Sequence, residues 1–193
     1  MKEMTEEQYK SLDAELHGFI MRSNITAGAF ERLVEIGYLE APASRGHHLV
    51  ERGGLAKHSK NVTRRLIQLT ESLDVKWPRE ESPYLVGLFH DLVKCKCYIP
   101  VDDENQNEQP KWKYVHPEYP GHGAASALIA CDLGIELRRE ERIAITYHMG
   151  AFGVGKEYSM EEFNAALLEC PQQIVATCCA DWWAARVDEE GVQ

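Results

Sequence analysis

The chain has 193 residues, of which 44% are hydrophobic, 9% aromatic and 27% charged. These values are typical of a folded globular protein and exclude collagen-like, disordered and membrane-spanning classes. The net charge of −10 has the wrong sign for a protein that holds duplex DNA by neutralising its phosphates. We therefore expect a single domain over residues 1–193, with the N-terminal helices of residues 1–50 packed on the remainder, and no long duplex nucleic acid as partner.

The N-terminal stretch predicts a protein without a secretory signal, because it is acidic and lacks an apolar core. No run approaches the roughly 18 apolar residues that a membrane span needs. The six cysteines are irregularly spaced, and Cys178 directly precedes Cys179, which does not suit a disulfide-stapled secreted scaffold. We expect reduced thiols, a cytoplasmic location and no membrane contact.

Helical patterns dominate the chain. Periodic apolar residues and end signals predict helices over residues 5–23, 26–38, 54–73, 83–94, 121–133, 138–148 and 160–187, the last broken at Pro171. Two short β-prone runs flank a polar loop over residues 102–109, which predicts a β-hairpin. The expected fold is all-α, with a small β-hairpin insert.

Histidine and aspartate residues occur inside these helical patterns, on faces that are otherwise apolar. His58 lies four residues before Val62 on one apolar stripe, and Asp181 shares a face with Ile174. Buried imidazoles and carboxylates are costly unless they are paired, hydrogen-bonded or bound to metal. We therefore expect one common centre built from His58, His90, Asp91, His122, His148 and Asp181.

Four imidazoles and two carboxylates form a mixed nitrogen and oxygen ligand set. Such a set suits Mn²⁺, Fe²⁺, Co²⁺, Ni²⁺ or Zn²⁺ better than Ca²⁺. Six ligands exceed the need of one catalytic ion, which keeps a position open for water or substrate. Two divalent transition metal ions that share a bridging aspartate fit the count better.

The motifs around these residues resemble those of the HD-domain metal-dependent phosphohydrolases. GGLAKHSKNV is similar to the family's first-histidine helix, FHDLVK to its His-Asp-x-x-Lys segment, and ADWWAAR supplies the closing aspartate. GHGAAS and AITYHMG resemble the two further histidine segments of members that hold two metals. The matches span residues 53–181, and HHLVERGGLAKHS is most similar to the HD portion of bacterial 3′–5′ exoribonucleases. The accompanying nucleic-acid-binding module is not seen in the sequence.

The resemblance implies an HD-domain helical bundle and assigns the ligands. His58, His90, Asp91 and Asp181 would bind one metal ion. The second ion would be held by His122, His148 and a bridging Asp91. The implied reaction is the cleavage of a phosphoester or phosphoanhydride by a water that the two metals activate, with Asp91 and Lys94 as catalytic residues.

Basic residues near these motifs are candidates for substrate binding. Lys94 follows His90 by one helical turn and is expected to contact a substrate phosphate. Lys57, Lys60 and Arg64 surround His58 in sequence and rank below Lys94, because their helical phase spreads them around that helix.

The expected substrate is a small phosphorylated compound, either a nucleotide or a short oligonucleotide. Two alternatives stay open. A di-iron oxygenase can use the same four-histidine, two-aspartate set, and a non-catalytic ligand-binding HD domain is the other, although such a domain is expected to have lost ligands. The loop residues His47, His48 and His116 are expected at the surface.

Overall fold

The computed structural model describes residues 13–44, 49–101, 111–119 and 121–189. Residues 5–12 of the first predicted helix and the predicted hairpin loop over 102–109 lie outside the described residues, as do His47 and His48. The helices are α1 (Ala14–Arg22), α2 (Ala27–Glu35), α3 (Gly54–Leu73), α4 (Ser82–Phe89), the single turn α5 (Lys94–Cys97), α6 (His122–Asp132), α7 (Arg139–Thr146), α8 (Met160–Glu169) and α9 (Pro171–Trp183). The all-α prediction is confirmed.

The predicted hairpin is also confirmed. Strand β1 (Tyr98–Val101) pairs antiparallel with β2 (Lys111–Tyr114), so that Tyr98 lies opposite Tyr114. The side chains of both strands are mostly exposed. The hairpin is therefore an appendage of the helical bundle rather than part of its core.

Helix ends follow local chemistry. Asp13 caps α1 by accepting hydrogen bonds from the backbone N–H groups of Glu15 and Leu16, at 3.0 and 3.2 Å. Near the other end of the chain, the predicted helix 160–187 breaks at Pro171, which opens α9 in its first turn. These two features fix where α1 and α9 start.

Helix α3 is the centre of the bundle, in contact with α1, α4 and α9. Its residues Leu55, Val62 and Leu66 are fully buried in the main hydrophobic core, which also takes in Leu88 of α4 and Ala180 of α9. The helices that carry His58 and Asp181 are thus packed side by side. No helix among the described residues is long and apolar enough to cross a membrane.

Two predicted helices that run into cluster histidines end earlier than expected. Residues 83–94 were predicted as one helix, but α4 ends at Phe89 and a tight turn precedes α5. The reason is that the His90 ring nitrogen Nδ1 donates to the Gly87 carbonyl at 2.9 Å and competes with the backbone for that acceptor. In the same way α7 ends at Thr146, and His148 Nδ1 donates to the Ile145 carbonyl at 2.8 Å.

The C-terminal helix also departs from the prediction. Helix α9 ends at Trp183, and a wider π turn follows over Ala184–Asp188. This turn closes with a hydrogen bond from the Glu189 N–H to the Ala184 carbonyl at 3.1 Å. The turn ends beside α3, where Arg65 forms an ion pair with Asp188 at 2.5 Å.

Candidate metal centre

The structure brings the predicted histidine and aspartate side chains together in the interior of the bundle. They come from α3, the turn after α4, the start of α6, the turn after α7, and α9. We call this group the His/Asp cluster: His58, His90, Asp91, His122, His148 and Asp181.

One side of the cluster is formed by His58, His90 and Asp181, whose ligand atoms are close enough to hold a metal ion. His58 Nε2 lies 3.1 Å from Asp181 Oδ1, and His90 Nε2 lies 3.8 Å from the same oxygen. The two imidazole Nε2 atoms are 3.3 Å apart. Three donors from three separate parts of the chain therefore converge on one point.

The other side is formed by His90, Asp91 and His148, whose ligand atoms are likewise close enough to hold a metal ion. Asp91 Oδ2 lies 3.4 Å from His90 Nε2, and Asp91 Oδ1 lies 3.6 Å from His148 Nε2. His122 Nε2 is in close contact with Asp91 Oδ1. The two groups have His90 in common, whereas the prediction gave Asp91 as the shared ligand.

Asp91 nevertheless lies between both sides of the cluster. Its Oδ2 is 3.5 Å from His58 Nε2, and its Oδ1 faces His122 and His148. A carboxylate with one oxygen toward each side is the arrangement that a bridging ligand needs. The assignment of each residue to one of two ions stays a prediction.

The imidazole rings are fixed so that Nε2 points inward. His90 and His148 donate Nδ1–H to backbone carbonyls, and His58 donates Nδ1–H to the Glu189 carboxylate at 3.1 Å. Metal-binding histidines are held in this way by partners on their other ring nitrogen. Because Nδ1 is engaged, Nε2 is the atom left to bind a cation.

The cluster is largely shielded from water. His58, His90, Asp91 and His148 are at most 2% exposed, whereas the side chains of Asp181 and His122 are 16% and 28% exposed. Imidazole nitrogens 3.3 Å apart repel unless a proton or a cation lies between them. The donor set therefore fits divalent cations of the mixed nitrogen and oxygen class.

The close approach of these side chains shifts their pKa values. Burial lowers the pKa of His58, but the carboxylates of Asp181 and Glu189 outweigh burial and raise that pKa to about 9. Burial and the neighbouring His90 lower the pKa of His148 to about 4. Burial opposes the charge of Asp91, yet Lys94 and His90 hold the pKa of its carboxyl well below its usual range. The Asp181 and Asp91 carboxylates are thus paired with His58 and Lys94 in the interior of the bundle.

Lys94 connects the cluster to a neighbouring cavity. Its ammonium nitrogen lies 2.5 Å from Asp91 Oδ2, and its side chain is 13% exposed. The cavity has a volume of about 430 Å³, within the range of small-molecule sites. Its wall includes Lys94, His122, Tyr98, Tyr114 and Lys156.

Comparisons with known proteins give no relative. No protein-family model matches the chain, and no curated protein or solved structure matches it. A function for this chain is therefore inferred from the geometry of the His/Asp cluster and the cavity beside it.

The remaining predicted substrate-binding residues lie in ion pairs. Lys57 pairs with Glu51 at 2.8 Å, Lys60 with Asp13 at 3.1 Å, and Arg64 with Glu15 at 2.5 Å. None of the three basic residues lines the cavity beside Lys94 in the described part of the chain. His116, predicted in a surface loop, is exposed and lines the outer wall of that cavity.

Two glutamates at the centre were missed by sequence reasoning. Glu189 lies behind His58, and Glu157 accepts hydrogen bonds from the backbone N–H groups of His122 and Gly123 at 3.0 and 3.4 Å. Glu189 follows an irregular turn and Glu157 follows a loop, so neither has a helical phase that would place it. Their only sequence signal is an acidic side chain near a predicted ligand segment.

Proposed function

We propose that this protein is a metal-dependent phosphohydrolase of the HD type. The proposal rests on the convergence of four imidazole Nε2 atoms and two carboxylates in a buried cluster. This cluster lies beside a cavity whose wall includes Lys94 and Lys156. Burying these polar side chains costs free energy unless they are paired or bind a ligand. Clusters of side chains with shifted pKa values are typical of functional sites.

The cluster would hold two divalent transition metal ions. His58, His90, Asp91 and Asp181 would bind the first, and His122, His148 and Asp91 the second. When bound, such ions supply Lewis-acid stabilisation of phosphate charge and activation of water near neutral pH.

Lys94 is the residue that would meet the phosphate. Its ammonium group is held by Asp91 and lines the cavity wall, so it can donate a hydrogen bond to a phosphate oxygen. Burial opposes its charge, but Asp91 raises the pKa of Lys94, which keeps the ammonium form. A fixed positive charge at this place stabilises negative charge that grows in the transition state.

The cavity supports a nucleotide or short oligonucleotide as substrate. Tyr98 and Tyr114 form part of its wall and contact each other edge to face, with ring centroids 5.9 Å apart. Lys156, also in the wall, makes no ion pair with any residue that the structure describes. Aromatic rings can stack against a base, and a lysine can contact a phosphate.

The first experiment combines metal analysis with a substrate panel. Protein purified without added metal is examined by elemental analysis and then assayed with Mn²⁺ on nucleotides, cyclic nucleotides and short RNAs. We expect about two equivalents of transition metal and hydrolysis of one substrate class. The Asp91→Asn variant should lose both, whereas Asp132→Asn, which alters an exposed carboxylate on α6 bonded to Tyr119, should retain both.

Other outcomes would replace the proposal. Two irons without hydrolysis, together with O₂ consumption after reduction, would indicate an oxygenase. Bound metal with neither reaction would indicate a ligand-binding domain. Absence of metal under every condition would contradict the metal centre itself.

A further inference from the structure

Glu189 is a buried carboxylate whose position is tied to one ligand of the cluster. Its two carboxylate oxygens accept from His58 Nδ1 at 3.1 and 3.2 Å, and Oε1 also accepts from the Asn61 side-chain amide at 3.0 Å. The side chains of His58 and Glu189 are each 1% exposed. An ionised carboxylate this deep is costly unless its partners compensate for lost water.

The backbone around Glu189 is shaped to put it there. The π turn over Ala184–Asp188 contains one more residue per hydrogen bond than an α-helix and so changes the direction of the following side chain. Asp188 anchors the turn through its ion pair with Arg65 of α3. One α9-derived segment therefore brings Asp181 to one ring nitrogen of His58 and Glu189 to the other.

His58 differs in this respect from the other two fully buried histidines. His90 and His148 donate Nδ1–H to neutral backbone carbonyls within their own turns. His58 instead donates to a charged side chain that lies 131 residues further along the chain. A carboxylate behind an imidazole fixes the ring and makes it a stronger electron donor to a metal.

We propose that Glu189 is a positioning residue for the metal centre. It keeps the proton of His58 on Nδ1 and orients the ring, so that Nε2 binds the cation with higher affinity. The inference rests on the proposed metal centre, and it adds a carboxylate–histidine pair to the predicted ligands.

The test compares Glu189→Ala and Glu189→Gln with Glu169→Ala as the matched control. Glu169→Ala removes an exposed carboxylate at the end of α8 that pairs with Arg139, and leaves the acceptor of His58 in place. Chelated protein is titrated with Zn²⁺, and dissociation constants are measured by competition. We expect Glu189→Ala to weaken Zn²⁺ binding by about 10- to 100-fold. Glu189→Gln should recover part of the loss, because its amide oxygen still accepts a hydrogen bond.

A second readout separates positioning from a general loss of structure. Histidine ¹⁵N NMR of Zn²⁺-loaded protein should show His58 protonated on Nδ1 in the wild type and in Glu169→Ala, with that proton signal lost or shifted in Glu189→Ala. Unchanged Zn²⁺ affinity and an unchanged His58 signal in Glu189→Ala would overturn the inference and leave the proposed function intact. A wild-type protein that binds no Zn²⁺ would instead overturn the metal centre on which both depend.

Discussion

Lys94 and Asp91 form a charge pair beside the cavity. The ammonium group lies 2.5 Å from Asp91 Oδ2 and is largely buried. Each group favours the charged form of the other, which is reflected in the raised pKa of Lys94 and the lowered pKa of Asp91. Metal cations at the cluster would also balance the negative charge of Asp91. Lys94 would then be able to donate a hydrogen bond to a substrate phosphate.

Replacing Lys94 by alanine should therefore separate binding of metal from turnover. We expect kcat on a phosphate substrate to fall by roughly 10²- to 10³-fold, the usual effect of removing one donor that stabilises transition-state charge. Metal content by elemental analysis should stay at the wild-type value. Lys96→Ala, an exposed lysine two residues away, is the control and should change neither quantity. Loss of metal in Lys94→Ala would contradict the role assigned to this residue.

At the scale of single residues, the sequence predicts an inward position for residues that share a helix face with apolar neighbours. His58 and Asp181 lie on apolar stripes, so their inward position follows from spacing, and the structure brings both into the cluster. Glu189 could not be found in this way, because a π turn shifts its direction relative to α9. The sequence also could not predict the ion pair between Arg64 and Glu15, because this pair depends on how α1 packs against α3.

Helices α3 and α4 approach closely because of one glycine. A Cβ atom at Gly87 would lie 2.6 Å from Thr63 Cα and from Thr63 Oγ1, far inside van der Waals contact. The Gly87 carbonyl also accepts the Nδ1–H of His90. The same residue thus sets the spacing of the two helices and the orientation of a predicted ligand.

Gly87→Ala should destabilise the protein and disturb the cluster. Forcing a methyl group into a packed contact costs about 1–3 kcal/mol, to be measured as the free energy of unfolding in urea. Gly18→Ala in α1 is the matched control, because its added Cβ meets nothing within 4 Å and alanine favours a helix. A Gly87→Ala protein as stable as the control would show that the helices can separate freely at this point.

At the scale of elements, the sequence predicts where helices occur more accurately than it predicts the residues at which they end. Residues 54–73 were predicted as a helix and are α3, and the break at Pro171 was also predicted. The early ends of α4 and α7 were not, because they arise when His90 and His148 bond to backbone carbonyls of the preceding turn. Two of the residues that would bind metal are therefore also the ones that interrupt the regular pattern.

Across the whole molecule, the cluster joins distant parts of the chain. His58 lies in α3, Asp91 in the turn after α4 and Asp181 in α9, and these helices pack together in the core. Sequence could predict this all-α class from periodicity. It could not predict which histidines share a side of the cluster, because that depends on how the helices pack in three dimensions.

Removing metal should consequently lower the stability of the entire fold. A ligand at 100 times its Kd stabilises the native state by about 2.7 kcal/mol. For a protein of this length that corresponds to a rise in Tm of roughly 5–11 °C. We expect thermal unfolding of the wild type to show this difference between Mn²⁺ and a chelator, and Asp91→Asn to show none. Equal Tm values for the wild type under both conditions would contradict specific binding to the folded state.

The cluster is unevenly exposed, so a ligand can reach it from the side of the cavity. His58, His90, Asp91 and His148 are buried, whereas His122 is partly exposed on the side where the cavity and Lys94 lie. A molecule lodged in that cavity would cover His122 and close this route to solvent. Occupancy of the cavity and exchange of a cation then become linked, since a bound substrate would slow the release of metal and a bound metal would help retain the substrate.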